Sequence, residues 1–172
     1  VFKKNIFLIL FIIYIIFPVL SFAKTISGQV IKVSDGDTIV IQTKQFKKIK
    51  IRLAEIDTPE MAQPYGPIAQ KALSKLVLSK TVMIHYKNKD RYKRIVGRVY
   101  LNTQDICAEM VGNGHAWVYR DYSDDYYLYL LEYWARLNQK GLWALPAESR
   151  TPPWEWRKNL KSSSKHKTTY AF

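Results

Sequence analysis

Thr25-Ile26-Ser27-Gly28-Gln29-Val30-Ile31-Lys32-Val33, then Ser34-Asp35-Gly36-Asp37, then Thr38-Ile39-Val40-Ile41-Gln42-Thr43 is the stretch from which the fold is read. Two runs rich in β-branched residues flank a turn made of Ser, Asp and Gly, the composition of a hairpin. Downstream, Ile49, Ile51 and Leu53 alternate with Lys50, Arg52 and Ala54. A period of two puts the apolar set on one face of a third strand and Arg52 on the other, wet face. Asp57-Thr58-Pro59 ends that strand.

Beyond the third strand, Gly66-Pro67 opens a helix carrying Ile68, Ala72, Leu73, Leu76 and Val77, with Pro67 suited to the first turn. Thr81 to Tyr86 and Arg94 to Leu101 read as two more strands around the polar turn Asn88-Lys89-Asp90. Asp105 to Asn113 reads as a short helix stopped by Gly114. Ser123, followed by Asp124 and Asp125, reads as the cap of a last helix ending at Gly141. Five short strands with a helix between the third and fourth give an α+β, mainly β class: a five-stranded Greek-key OB-fold barrel with three helices. The domain is expected over residues 24–156. From Arg157 onward, Lys, Ser, Thr and His without apolar periodicity read as a flexible basic tail over residues 157–172.

The 172 residues carry 27 Lys+Arg against 14 Asp+Glu, a formal net charge of +13, and 48% of them are hydrophobic. That composition excludes a long disordered chain and leaves room for one compact domain with extensions. A single Cys excludes an internal disulfide framework, and three His without paired spacing argue against zinc of the His/Cys kind. No Gly-rich phosphate loop is present. The basic excess points to a polyanion such as nucleic acid or an anionic membrane surface.

At the N-terminus, Lys3 and Lys4 precede the apolar run Ile6 to Phe17, followed by Pro18 and the small-residue site Ser21-Phe22-Ala23. This is the pattern of a signal peptide, residues 1–23, cleaved after Ala23. The alternative is an uncleaved anchor, since Ile6 to Ala23 nearly spans a bilayer of ~30 Å. Export to a secreted or periplasmic location is expected, with a membrane partner only if the segment stays.

Two acidic turns carry the candidate chemistry, Asp35-Gly36-Asp37-Thr38 and Asp57-Thr58-Pro59-Glu60. Each alone is ordinary turn composition, with Asp capping its own backbone. Together, at a hairpin turn and the exit of the adjoining strand, they can place several hard oxygen ligands side by side. Arg52 adds a planar fork suited to phosphate. Its spacing of five from Asp57 is odd, so a straight strand would send the two to opposite faces. They converge only if the chain bends between them, and Ala54-Glu55, where the alternation breaks, is the place. Arg94 and Arg98 share one face of the fifth strand but stand ~13 Å apart along it, too far to grip one phosphate.

These residues, in order with Tyr65-Gly66-Pro67 and Asp90-Arg91-Tyr92-Lys93-Arg94, resemble the signature of the staphylococcal-nuclease-like thermonucleases over about Ile26 to Trp143. The resemblance implies an OB-fold, Ca²⁺-dependent endonuclease that cleaves DNA and RNA to 3′-phosphate ends. Carried over by position, Asp37 and Asp57 with the carbonyl of Thr58 bind Ca²⁺, Glu60 helps activate the attacking water, and Arg52 and Arg94 bind the phosphate. Tyr92 and Tyr122 are nucleic-acid contacts on the same basis. The chain departs from the pattern in the short Met61-Ala62-Gln63-Pro64 segment, where a longer basic loop is absent, and at Ile68 and Lys93. A monomer preferring single-stranded or flexible substrate is expected. The competing expectation is a binding module of the same fold with weak or no cleavage.

Of the remaining polar and aromatic residues, Cys107 reads as a buried small hydrophobe, and His85 and His115 need no ligand role. Trp143, Trp154 and Trp156 read as pins for the C-terminal segment. The leader predicts an exported polypeptide beginning at Lys24. Intact mass of the exported protein checks this, and a species retaining residues 1–23 would instead mark a membrane anchor.

Overall fold

The computed structural model describes residues 24–169, with side chains as far as Ser162; the expected leader lies outside the described residues. The strands are β1 (Lys24–Val33), β2 (Thr38–Gln42), β3 (Lys48–Leu53), β4 (Ile56–Asp57), β5 (Thr81–Lys89), β6 (Ile95–Leu101), β7 (Gln104–Asp105) and β8 (Trp117–Val118). The helices are α1 (Gly66–Val77), α2 (Ile106–Gly112), α3 (Tyr126–Leu137) and α4 (Pro153–Thr169).

The main sheet runs β3-β2-β1-β5-β6-β7, and β3 pairs in parallel with β6 to close a five-stranded barrel. Closure brings Ile51 opposite Ile95 and Arg52 opposite Val96. Every barrel strand sends alternate apolar residues inward: Val30, Ile39, Ile41, Ile51, Leu53, Val82, Ile84, Ile95 and Val99 are buried in one core, to which α1 adds Leu73 and Val77. In β1 the register shifts between Val30 and Lys32. The extra residue turns Ile31 outward and lets Val30 and Val33, three apart, both face the core.

The expected helices differ from the observed ones in three respects. Ser123 is not the cap of α3. Asp125 caps it by accepting from the Tyr127 N–H, while the Ser123 hydroxyl accepts from the Asp125 N–H at 3.3 Å. The helix stops at Leu137 rather than Gly141, because Gln139 takes a left-handed φ of 50° that breaks the α ladder. Among the described residues there are four α-helices rather than three. The expected flexible tail from Arg157 is helical from Pro153 to Thr169, opened by Pro152-Pro153 with Glu155 in the first turn. Among the described residues, no helix is long and apolar enough to cross a membrane.

A smaller aromatic cluster lies beside the barrel core, built from Tyr65, Trp117, Leu142 and Trp143 with Trp154 packed on it. Trp143 and Trp154 thus pin the C-terminal segment, as their composition suggested. Gly114 allows this packing. Its φ is +70°, and a methyl there would lie 2.1 Å from the Lys140 carbonyl oxygen. Gly114→Ala is expected to destabilise the protein by more than about 2 kcal/mol, read as a lower urea midpoint with an unchanged slope.

Candidate active site

The two acidic turns meet because the hairpin turn packs directly onto the exit of β3. A methyl on Gly36 would lie 2.7 Å from Thr58 Oγ1 and 2.8 Å from Ala69 Cβ, so the bare backbone is what lets the turns touch. Asp37 Oδ2 accepts from the Thr58 N–H at 3.1 Å and from Thr58 Oγ1 at 3.2 Å. The Asp37 N–H in turn donates to Asp35 Oδ1 at 3.0 Å.

Arg52 bridges the two turns. Its Nη1 lies 3.0 Å from Asp37 Oδ2 and its Nη2 2.9 Å from Asp57 Oδ1. The odd spacing between Arg52 and Asp57 is resolved at Ala54-Glu55. Glu55 adopts φ +65°, and the Ala54 N–H donates to the Gly97 carbonyl at 2.9 Å. Arg52 Nη1 also donates to the carbonyls of Leu53 and Ile56, both at 3.2 Å, and the Tyr119 N–H takes the Glu55 carbonyl at 2.9 Å. The Leu53, Glu55 and Ile56 carbonyls and the Ala54 N–H of the bend are thereby satisfied.

Glu55 is tethered by Arg98, whose Nη1 lies 3.1 Å from Glu55 Oε2 and whose Nε lies 3.2 Å from Asp105 Oδ2; Asp125 is its third carboxylate partner. Arg98 thus serves the scaffold, tying the bend to the caps of α2 and α3.

Asp57 is 1% exposed and pairs across β4 and β8 with Trp117. Its second cation comes from α4. Arg157 Nη2 donates to Asp57 Oδ2 at 2.7 Å and Nη1 to Asp57 Oδ1 at 3.2 Å, while Nη1 also reaches Glu60 Oε1 at 2.7 Å. Gln63, itself 3% exposed, fixes this loop: it accepts from the Glu60 N–H and donates to the Thr151 carbonyl, both at 2.8 Å. Burial opposes the Arg52 charge, but Asp37 and Asp57 outweigh it and hold the guanidinium above its ordinary range. Burial pushes the Asp57 carboxyl up, against the pull of Arg157 and Arg52. Burial, followed by the neighbouring Asp37, raises Asp35 to about 6.

The remaining expected site residues have partners of their own: Tyr122 adjoins the centre through Tyr119, and Arg94 and Tyr92 contact the turn before β6. Arg94 directly precedes β6 on the outer face shared by Arg52. Two residues along and one strand across correspond to about 8 Å between backbones. Its Nε is held by Asp90 Oδ2 at 2.7 Å, and its guanidinium lies 5.4 Å from the Tyr92 ring centre. Despite some desolvation, Arg94 and the backbone N–H groups of the turn hold Asp90 below the usual carboxylate range. Tyr92 and Tyr122 are 65% and 69% exposed, and the Arg91 guanidinium also lies 5.0 Å from the Tyr92 ring centre. Tyr122 packs on Tyr119 at 4.6 Å, and Tyr119 stacks on Trp154 at 5.6 Å and 5°.

Sequence reasoning missed Arg157, Tyr119 and Asp35 as members of this centre. Burial and the Asp57 charge push the Tyr119 hydroxyl up, and Arg157 pulls it the other way, which places it beside both. The start signal at Pro152-Pro153 and Glu155 was the available hint that Arg157 lies on an ordered helix. Cys107 is fully buried and pushed up to about 12, the behaviour of an inert small hydrophobe. His115 is spent on the Tyr65 hydroxyl, with its Nδ1 3.0 Å away.

Asp35, Asp37, Asp57 and Glu60 outnumber the cations Arg52 and Arg157, so the cluster is deficient in positive charge when the carboxylates are ionised. Asp37 and Asp57 sit within reach of one guanidinium and offer hard oxygens of the type a divalent cation takes. No group of three or more His, Cys, Asp and Glu side chains converges as a metal cage among the described residues. A cation there would need backbone oxygen or water besides the two carboxylates.

Comparison with known proteins identifies the family. A family model described as "Staphylococcal nuclease homologue" matches residues 50–145. A protein of Haemophilus influenzae named "Uncharacterized endonuclease" is 44% identical over 133 residues, 77% of this chain and 74% of its own. One of the same name from Escherichia coli is 41% identical over 156 residues, 90% of this chain and 97% of its own. "Micrococcal nuclease" of Shigella flexneri is 36% identical over 148 residues, covering 80% and 83%. With the barrel, the matched span and relatives aligned over most of their length, the chain belongs to the staphylococcal nuclease family and is a nuclease.

Proposed function

We propose that this nuclease is a secreted or periplasmic, Ca²⁺-dependent endonuclease that hydrolyses the phosphodiester bonds of DNA and RNA and leaves 3′-phosphate ends. The observation that carries it is the joint grip of Arg52 on Asp37 and Asp57, which assembles two hard anionic ligands beside a guanidinium. The oxygen donor set and the charge deficit fit Ca²⁺, held by Asp37 and Asp57 with the Thr58 carbonyl. When bound, Ca²⁺ supplies positive charge to the phosphate oxygens.

The chain's own groups account for the rest of the reaction. Glu60, 40% exposed at its side chain, stands three residues from Asp57 where it can take the proton of an attacking water. The water oxygen bonds to phosphorus as the bond from phosphorus to the 5′-oxygen breaks; the 5′-oxygen leaves with that electron pair and takes a proton from solvent, and the phosphate stays on the 3′ side. Arg52, kept cationic by Asp37 and Asp57, and Arg94, on the same outer face, neutralise the charge that builds on the equatorial oxygens. Exposed Tyr92 and Tyr122 offer ring faces to unpaired bases, which favours single-stranded or flexible substrate. The apolar leader and the basic excess support export and a polyanionic substrate, and a monomer suffices because one chain holds the whole set.

Cleavage of denatured DNA and of RNA by the domain beginning at Lys24 is expected with Ca²⁺ and is expected to vanish with a chelator. Glu60→Gln should lower the turnover on the order of 10²–10⁴-fold with the fold unchanged by circular dichroism. Metal-independent cleavage, or full activity in the Gln variant, would reject this mechanism.

A further inference from the structure

Arg157 is the site's cation that the barrel strands do not supply. It comes from α4, 100 residues beyond Asp57. The guanidinium spreads over both oxygens of Asp57 and reaches Glu60, so it covers the carboxylates that the proposed chemistry needs free. An ionised carboxylate has about four lone-pair positions. On Asp57, Arg52 takes one on Oδ1, and Arg157 takes one on each oxygen.

The two arginines are held differently. Arg52 is 14% exposed at its side chain and is fastened by two backbone carbonyls. Arg157 is 36% exposed and is held by side chains alone, the carboxylates of Asp57 and Glu60 and the neighbouring Tyr119 hydroxyl. Between Pro153 and Ser162 only Pro153 is buried, although Trp154 packs on Trp117 and Tyr119. Trp154 therefore anchors the first turn of α4, while the long, half-buried Arg157 side chain can swing aside on its own stem, and a divalent cation on Asp57 would repel its guanidinium.

Building on the divalent-ion site proposed above, we propose that Arg157 is a tethered counter-cation competing with the metal for Asp57 and Glu60. Without metal, α4 lays the guanidinium across the site and holds both carboxylates. Metal binding displaces it and uncovers the Glu60 carboxylate. The C-terminal helix is thus an autoinhibitory strap whose release is linked to metal affinity.

The test is Ca²⁺ titration of the metal-free full chain by isothermal calorimetry, comparing wild type with Arg157→Gln and with Lys158→Gln, which removes the same charge from the exposed neighbour. Arg157→Gln is expected to bind Ca²⁺ about tenfold tighter, with Lys158→Gln within about twofold of wild type. Thermal denaturation gives a second readout. Arg157→Gln should melt lower than wild type without metal and gain more from saturating Ca²⁺. Equal or weaker Ca²⁺ binding in Arg157→Gln, or equal tightening in both variants, overturns the strap while leaving the metal site standing. Absence of Ca²⁺ binding in every protein overturns the metal site itself, and the strap with it.

Discussion

Arg52 carries the centre of this molecule. Two carboxylates, Asp37 and Asp57, are almost withdrawn from water, and bringing them together without a cation would be prohibitive. One guanidinium meets both at 3.0 and 2.9 Å and also takes the carbonyls of the bend that aims Asp57 inward. Removing one partner from such a buried arrangement costs about 3–5 kcal/mol, because the charges left behind have no solvent to replace it. The pairing stabilises the bend and prepares the ligand set at once, so scaffold and chemistry share a residue.

The barrel exists to put that residue in place. Parallel closure of β3 on β6 fixes where β3 ends, and the Ala54 N–H on the Gly97 carbonyl starts the bend from the closing strand itself. The short β4–β8 pairing then pins Asp57 opposite Trp117. β8 is held in turn by Glu132 of α3, 1% exposed, which accepts from the Val118 N–H at 3.0 Å and pairs with Arg120 at 2.7 Å. Arg98 performs the same service for Glu55. Separate ionic groups thus brace β8, the bend and the acidic turns, each carboxylate being met by a neighbouring arginine.

Much of the barrel was legible in residues that answer to a local rule. The alternation around Ile49, Ile51 and Leu53 and the Asp-Gly turn before Thr38 follow from strand geometry alone, and the bend at Ala54-Glu55 follows from the odd spacing of Arg52 and Asp57. The limits of α3 were less legible, because Ser123, Asp124 and Asp125 all suit a cap. Which one captures the Tyr127 N–H depends on where Arg98 holds Asp125. Arg157 was not legible as a site residue. A solvated basic run and a helix that places one arginine on distant carboxylates have the same composition, and its partners lie 100 and 97 positions away.

Sequence by itself determined the strand faces, the turn chemistry and the identity of the acidic and basic groups, because side-chain period and backbone preference act over a few residues. Tertiary structure alone decided which distant charges neutralise one another: Arg52 with both aspartates, Arg98 with the scaffold carboxylates, and Arg157 with Asp57 and Glu60. The reason is that electrostatic pairing depends on distance through space and on exclusion of water. Neither is set until the barrel has closed and α4 has packed against it.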